Sequence, residues 1–257
     1  VEDYTLAFCN YHDGSSNIRF LENYHRFHFF EFPQPRFSLI NRIKWKLRNR
    51  ATRGTQLVEN FEPTFDLQNL KTDQSYELKG FHFSSGELVI KHRSKICEIL
   101  KFRESEINQV QDLISKAKNK FKVLLGVHIR RNDYKEFYEG KYFLSLGEYL
   151  KSIDRFKSSH PDPQSVGVVV CSDDNQSLLK IQTDHADYIL TKGNVVQDMF
   201  ALSQCDYIIA PKTTTMSAWA SYFGNCQLLQ IDQSKKKITF KDFNKIEKLE
   251  PFNPFIK

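Results

Sequence analysis

From Val123 onward, short apolar runs alternate with segments of helical pattern, and this alternation restricts the fold more than any other property of the chain. Residues 123–129 and 166–171 are almost uninterrupted apolar runs, as strands buried on both faces require. Residues 187–190, 206–210 and 227–231 read as three further strands. Helices are expected between them, from Ser145 to about Phe156 and over 176–182, 196–204 and 214–223. Ser145 with Glu148 three residues on forms a capping box, and Gly224 stands where a left-handed helix terminator belongs. Strands and helices alternating at this spacing predict a parallel sheet of Rossmann type, with right-handed crossovers, over residues 121–231.

The flanks are less regular. Residues 1–120 read as a separate N-terminal domain, rich in aromatics. Leu39, Ile40, Ile43 and Leu47 fall at helical spacing, so 37–49 predicts a basic amphipathic helix. A short strand is expected over 77–83, a helix from Ser84-Ser85 to about Leu100, and another over 104–118. Residues 232–257 read as a Lys-rich tail containing Pro251 and Pro254. The 22 Phe and 11 Tyr argue against disorder. Part of the net charge of +6 is local: Arg36, Arg42, Lys44, Lys46, Arg48, Arg50 and Arg53 occur with no acid among them. Such a stretch is either a solvated face or a contact with an anionic partner, a lipid surface included. The five cysteines show no C-x-x-C spacing, and Cys171, Cys205 and Cys226 lie in or beside apolar runs. Reduced core thiols are therefore expected, with neither a disulfide framework nor a zinc site.

Polar residues concentrate where three of the strands end. His128-Ile129-Arg130-Arg131-Asn132-Asp133 closes the first, Ser172-Asp173-Asp174 the second, and Lys212-Thr213-Thr214-Thr215 the fourth. Open parallel sheets bind ligands at the carboxyl ends of their strands. Thr213, Thr214 and Thr215 offer hydroxyls and backbone N–H groups at a helix start, an arrangement suited to phosphate. An arginine adds a planar fork that matches phosphate oxygens. Taken singly, each element also has a plain structural reading: a surface ion pair for the arginines, a helix cap for the threonines, a turn for the aspartates. Their coincidence on one sheet edge favours an anion site. No G-x-G-x-x-G follows a strand and no G-x-x-x-x-G-K-[ST] loop is present, which disfavours a dinucleotide dehydrogenase and a P-loop enzyme. Asp173-Asp174 lacks a neighbouring third ligand, so no metal is expected.

With these residues placed, VHIRRNDY (127–134), CSDDNQSLL (171–179) and DMFALSQCDYIIAPKTTTMSAWASYFG (198–224) resemble, in order and spacing, the three motifs of the α1,2-, α1,6- and O-fucosyltransferase superfamily. The nearest likeness is to bacterial α1,2-fucosyltransferase-like (family 11) glycosyltransferases. It covers 121–231 well and the first 120 residues loosely. The resemblance implies a GT-B-like α/β fold, two Rossmann-like domains facing a cleft, with the donor nucleotide on the second. It implies inverting transfer of a sugar, foremost L-fucose, from a GDP-sugar to a glycan hydroxyl without a metal or other cofactor. By similarity, Arg130 grips the β-phosphate, Arg131 supports the same loop or reaches the phosphates, and His128 lines the nucleotide pocket. Asp198 reads guanine, Thr213, Thr214 and Thr215 bind phosphate, and Ser172, Asp173 and Asp174 order ribose or neighbouring loops. Two departures stand out. Asn132 occupies a position where the α1,2 members commonly carry Gly, and the opening G-x-L-G-N-x-x-F-Q loop of the family is not found, so the N-terminal domain reads as truncated.

The chemistry expected is displacement at the anomeric carbon with a diphosphate leaving group held by Arg130. Candidate bases are Asp133, Glu136 and Glu139, with Asp133 better placed to pair with an arginine. Another nucleotide sugar such as GDP-rhamnose, or a nucleotide-sugar binder without turnover, remains an alternative. Nucleic-acid binding has only charge in its favour. The acceptor expected is an oligosaccharide or a lipid-linked glycan, with peripheral membrane contact through 37–49. The location expected is a bacterial cytoplasm, a lumenal Golgi-type setting remaining open.

Overall fold

The computed structural model describes residues 56–59, 76–79, 90–99, 101–102, 104–182, 187–235 and 237–245. The expected basic helix at 37–49, the helix start at 84–85 and Cys9 lie outside the described residues, as does most of the predicted N-terminal domain. Strands β1 (Gln56–Glu59) and β2 (Tyr76–Lys79) form a parallel pair, and helix α1 spans Arg93–Ile99. The rest is α2 (Glu104–Lys120), β3 (Val123–Ile129), α3 (Leu146–Ser159), β4 (Val166–Ser172), α4 (Asn175–Gln182), β5 (Tyr188–Leu190), α5 (Val195–Ser203), β6 (Tyr207–Pro211), α6 (Thr215–Gly224) and β7 (Gln227–Ile231). The five strands from β3 to β7 make one parallel sheet in the order β5-β4-β3-β6-β7. The predicted α/β class and Rossmann-type parallel sheet are what the chain forms.

Helices cover both faces. Val110, Ile114 and Ala117 of α2 join Met199, Ala201 and Leu202 of α5 and Ala218 and Ala220 of α6 in one core. Tyr149, Ile153 and Phe156 of α3 join Leu178 and Ile181 of α4 in the other. Strand periodicity assigns each β3 side chain to one of these cores. Leu125, Val127 and Ile129 face α3 and α4, while Leu124 faces α2, α5 and α6. At Gly126 an added Cβ would lie 2.8 Å from Leu202 and 3.1 Å from the Cys205 sulfur, so a side chain there would force Leu202 to shift. Each buried Leu, Ile or Val contributes roughly 1.5–3 kcal/mol relative to exposure.

The chain runs outward from β3 through β4 to β5, then crosses back to build β6 and β7 on the other side of β3. That reversal, at the carboxyl ends of β3 and β6, is the point at which open parallel sheets characteristically bind ligands.

Two expectations change. The left-handed residue that ends α6 is Asn225, at φ 54°, not Gly224, which is the last helical residue. Gly224 is required for a different reason: a Cβ there would stand 1.9 Å from the Ser203 carbonyl oxygen at the end of α5. The segment read as a tail beyond 231 is partly core, because Ile238 and Phe243 are buried against α3 and Leu228 bridges Asn244. The capping box of Ser145 and Glu148 forms as predicted. Cys171, Cys205 and Cys226 are buried free thiols and Cys97 is a half-buried one. At the far end of α6, Arg93 donates from Nε to the Tyr222 carbonyl (2.5 Å) and from Nη2 to the Phe223 carbonyl (2.6 Å). No helix among the described residues is long and apolar enough to cross a membrane.

Candidate functional site

The alternation of β3 carries into the residues that follow it. His128 points to the α6 side and is buried, with its Nδ1 2.6 Å from the Ser217 hydroxyl and 3.2 Å from the Thr214 hydroxyl. Burial, reinforced by the Arg130 charge, lowers its pKa to about 3, so the imidazole is neutral at physiological pH. Thr214 is the N-cap of α6 but makes no capping bond with its side chain, which is turned to His128 instead. Ahead of it Thr213 adopts φ 66°, a left-handed conformation that is costly for a β-branched residue. The turn thus aims the start of α6 toward the end of β3.

Arg130 is half-buried beside this turn. Its Nε and Nη2 donate to the two carboxylate oxygens of Asp133 at 2.9 and 2.8 Å, a bidentate pair. The Arg130 hydrogen bonds hold the Asp133 carboxyl below its usual range. The guanidinium lies 5.9 Å over the Tyr134 ring. Tyr134 is itself bonded to the α6 turn, donating to the Lys212 carbonyl (3.1 Å) with its hydroxyl 3.2 Å from that of Thr213. Tyr134 therefore joins the arginine loop to the threonine turn. Lys212 is paired with Asp232 at 2.5 Å, which pulls that carboxyl down to about 2.

Arg131 faces the opposite way. Its Nη1 donates to the Ser177 hydroxyl (2.8 Å) and lies 3.6 Å from Asp174, and its guanidinium sits 5.3 Å over Phe143. Asp173 accepts from the backbone N–H groups of Arg131 (2.9 Å) and Asn132 (3.3 Å), while Asn132 donates its side-chain amide to the Asp173 carbonyl. Asp174 receives the Ser177 hydroxyl at 2.7 Å, and its N–H donates to the Ser172 hydroxyl at 2.9 Å. The loop after β3 is thereby tied to the loop after β4. A cavity of about 420 Å³ lies on this side, lined by Arg131, Asp173, Asp174, Ser177, Lys135 and Lys180. It takes in three of the predicted residues and leaves out His128, Arg130, Asp198 and Thr214. The predicted set is thus divided between two sides of the sheet edge.

Asp198, in the first turn of α5, is buried at 6 % exposure. Its Oδ1 receives the Thr191 hydroxyl at 2.6 Å. Burial raises its carboxyl to about 7, against the lowering effect of that bond. Glu136 and Glu139 are exposed in the loop between β3 and α3. Among the described residues no three His, Cys, Asp or Glu side chains converge to hold a metal ion.

Several residues at this edge were not singled out from sequence. Ser217 lies one helical turn beyond Thr214 and was findable from that spacing. Thr191 follows β5 at its carboxyl end, so the positional rule that selected the other strand ends also applied to it. Tyr149, whose hydroxyl accepts from the Arg130 N–H at 3.3 Å, gave no local signal. Tyr134 ends the segment VHIRRNDY, where sequence alone assigns it no role.

A sequence model of glycosyl transferase family 11 matches residues 65–246, well over half of the chain. No curated protein matches significantly. Among solved structures, the fucosyltransferase NodZ from Bradyrhizobium is similar at 16% identity and a TM-score of 0.49, over 65% of this chain and 57% of that one. The NodZ α-1,6-fucosyltransferase soaked with GDP-fucose gives 18% identity and a TM-score of 0.49, over 80% and 69% respectively. POFUT1 in complex with GDP-fucose gives 13% and 0.38, over 63% and 52%. The chain spans little more than half the length of most of these proteins.

Proposed function

The chain belongs to glycosyl transferase family 11, and on that premise we propose that it transfers a sugar, foremost L-fucose, from a GDP-sugar to a glycan hydroxyl with inversion. The observation that carries this reading is the link from Arg130 through Tyr134 to the turn before α6. It sets a guanidinium fork opposite a helix start whose cap residue leaves the first N–H groups without a side-chain partner. Both groups favour the charge of a diphosphate, and together they stabilise it as a leaving group. His128 is kept neutral at the base of that turn, so it offers hydrogen bonding without adding charge.

In this mechanism the acceptor oxygen attacks the anomeric carbon, the bond from that carbon to the β-phosphate oxygen breaks, and GDP leaves with the electron pair. The acceptor proton passes to a carboxylate. Asp133 is a poor acceptor because Arg130 stabilises its ionised form; its part is to hold Arg130 in line. Glu136, exposed on the same loop, is the base this reading assigns. Asp198 recognises guanine through its carboxylate, and Asp173 with Asp174 orders the arginine loop.

A thermal-shift panel of GDP, UDP, ADP and CMP tests the nucleotide, since stabilisation grows with the ratio of ligand to Kd. Selective stabilisation by GDP is expected; a preference for UDP overturns the guanine assignment. GDP release from GDP-fucose, compared with GDP-mannose and GDP-rhamnose, tests the sugar.

A further inference from the structure

We propose that Phe137, Tyr138 and Tyr142 form a platform on which one pyranose ring of a neutral acceptor glycan stacks. This rests on the transferase reading above and names a subsite for its second substrate. Phe137 and Tyr138 are 38% and 46% exposed, although aromatic side chains of this size ordinarily bury themselves. They are not isolated. Tyr134 stacks on Phe137 at 5.3 Å, Phe137 meets Tyr138 edge-on at 4.7 Å, and Tyr138 meets Tyr142 edge-on at 5.9 Å. The cluster thus begins at the residue that carries Arg130 and ends in solvent, continuous with the proposed leaving-group site.

The backbone holds the rings outward at a cost. Tyr138 and Glu139 take φ 47° and 55°, followed by Gly140 at 75°. Two consecutive non-glycine residues in the left-handed region cost roughly 1–2 kcal/mol each. Such conformations gather at ligand sites. The charges around the platform distinguish its occupant. Lys135, Glu136, Glu139 and Lys141 supply two charges of each sign and are all exposed, a net-neutral rim that suits neither an anionic lipid surface nor a nucleic acid. A saccharide needs the combination present here: aromatic faces for its C–H surface, and carboxylates and an ammonium for its hydroxyls.

Saturation-transfer NMR on the full chain with GDP bound tests the platform, with lactose, N-acetyllactosamine, chitobiose and α-1,2-mannobiose as probes. Ring protons of at least one probe are expected to be saturated. Tyr138→Ala should raise the Kd of that probe about tenfold and Tyr138→Phe leave it within about twofold, both with GDP affinity intact. Equal saccharide affinity in Tyr138→Ala, or no saturation of any probe while GDP binds, overturns the proposal. Failure of the unsubstituted chain to bind GDP would instead overturn the donor reading.

Discussion

The two sides of the sheet edge handle polarity in opposite ways. On the α4 side, charges answer one another apart from the buried Arg131 Nε: Arg131 meets Ser177 and Asp174, and Asp173 closes on two backbone N–H groups and approaches Arg130 at 3.6 Å. On the α5 and α6 side, titratable groups are buried without a countercharge. His128 touches only hydroxyls, and Asp198 meets Thr191. Two adjacent arginines therefore do different work. Arg131 is fixed within the protein, whereas Arg130 is paired with the exposed Asp133, lies 3.6 Å from Asp173 and flanks an uncapped helix start. The α4 side is tied together by charge and still leaves Arg131 Nε buried without a partner at the cavity, whereas the α5 and α6 side leaves its polarity to hydroxyls.

The strongest test of this contrast is Asp198. Because burial lifts its carboxyl to about 7, the folded chain keeps a proton between about pH 4 and 7 that the unfolded chain gives up. Its contribution to stability therefore falls as pH rises through that window, by an amount on the order of 4 kcal/mol once complete. Asp198→Asn should be more stable than the parent chain in urea melts at pH 8 and lose its preference for GDP over ADP. Equal stability at pH 8 would mean that the α5 side is not polar and unanswered after all. His128 works in the other direction: it stays neutral down to about 3 while the unfolded chain takes up a proton below about 6.5, so stability is lost as pH falls across that range. The two slopes oppose each other, and His128→Asn should expose the Asp198 slope alone.

Next in size is the pair of arginine variants. Arg131→Ala removes the cation beside Asp174 and Ser177, which keep their mutual hydrogen bond, and should cost about 1.5–3 kcal/mol in stability. Arg130→Ala breaks its pairs with the exposed Asp133 and the less exposed Asp173 and should cost about 1 kcal/mol. Its expected effect is on GDP, with Kd rising roughly ten- to a hundredfold for a lost charge-assisted contact of about 1.5–3 kcal/mol. If calorimetry shows both variants losing affinity and stability alike, the division of labour is wrong. The smallest effect is expected at Ser217→Ala, about 1 kcal/mol in a thermal melt, since Thr214 still meets the imidazole.

The sheet was legible because its strands are buried on both faces, leaving runs such as 123–129 and 166–172 that have few other interpretations. The capping box of α3 was legible because it is a local exchange between Ser145 and Glu148. The site was legible as far as strand ends and family motifs reach. What escaped depends on contacts between distant segments. Nothing near Gly224 announces the Ser203 carbonyl pressed against it, and nothing near Tyr149 announces the Arg130 N–H. The separation of Arg130 from Arg131 follows from strand alternation, yet sequence left Arg131 between supporting the loop and reaching the phosphates because the strand's end, and hence each side chain's face, was not defined.

Arg93 gives α6 a mechanical character. The helix is ten residues long, a rod of about 15 Å. One end is clamped by a guanidinium from the chain ahead of the sheet, and the other is seated on His128 through Ser217 and Thr214. Held at both tips and pressed against α5 at Gly224, the rod has little freedom to bend. The Arg93 clamp and the threonine turn are thus the two ends of one short element whose middle is packed in the core.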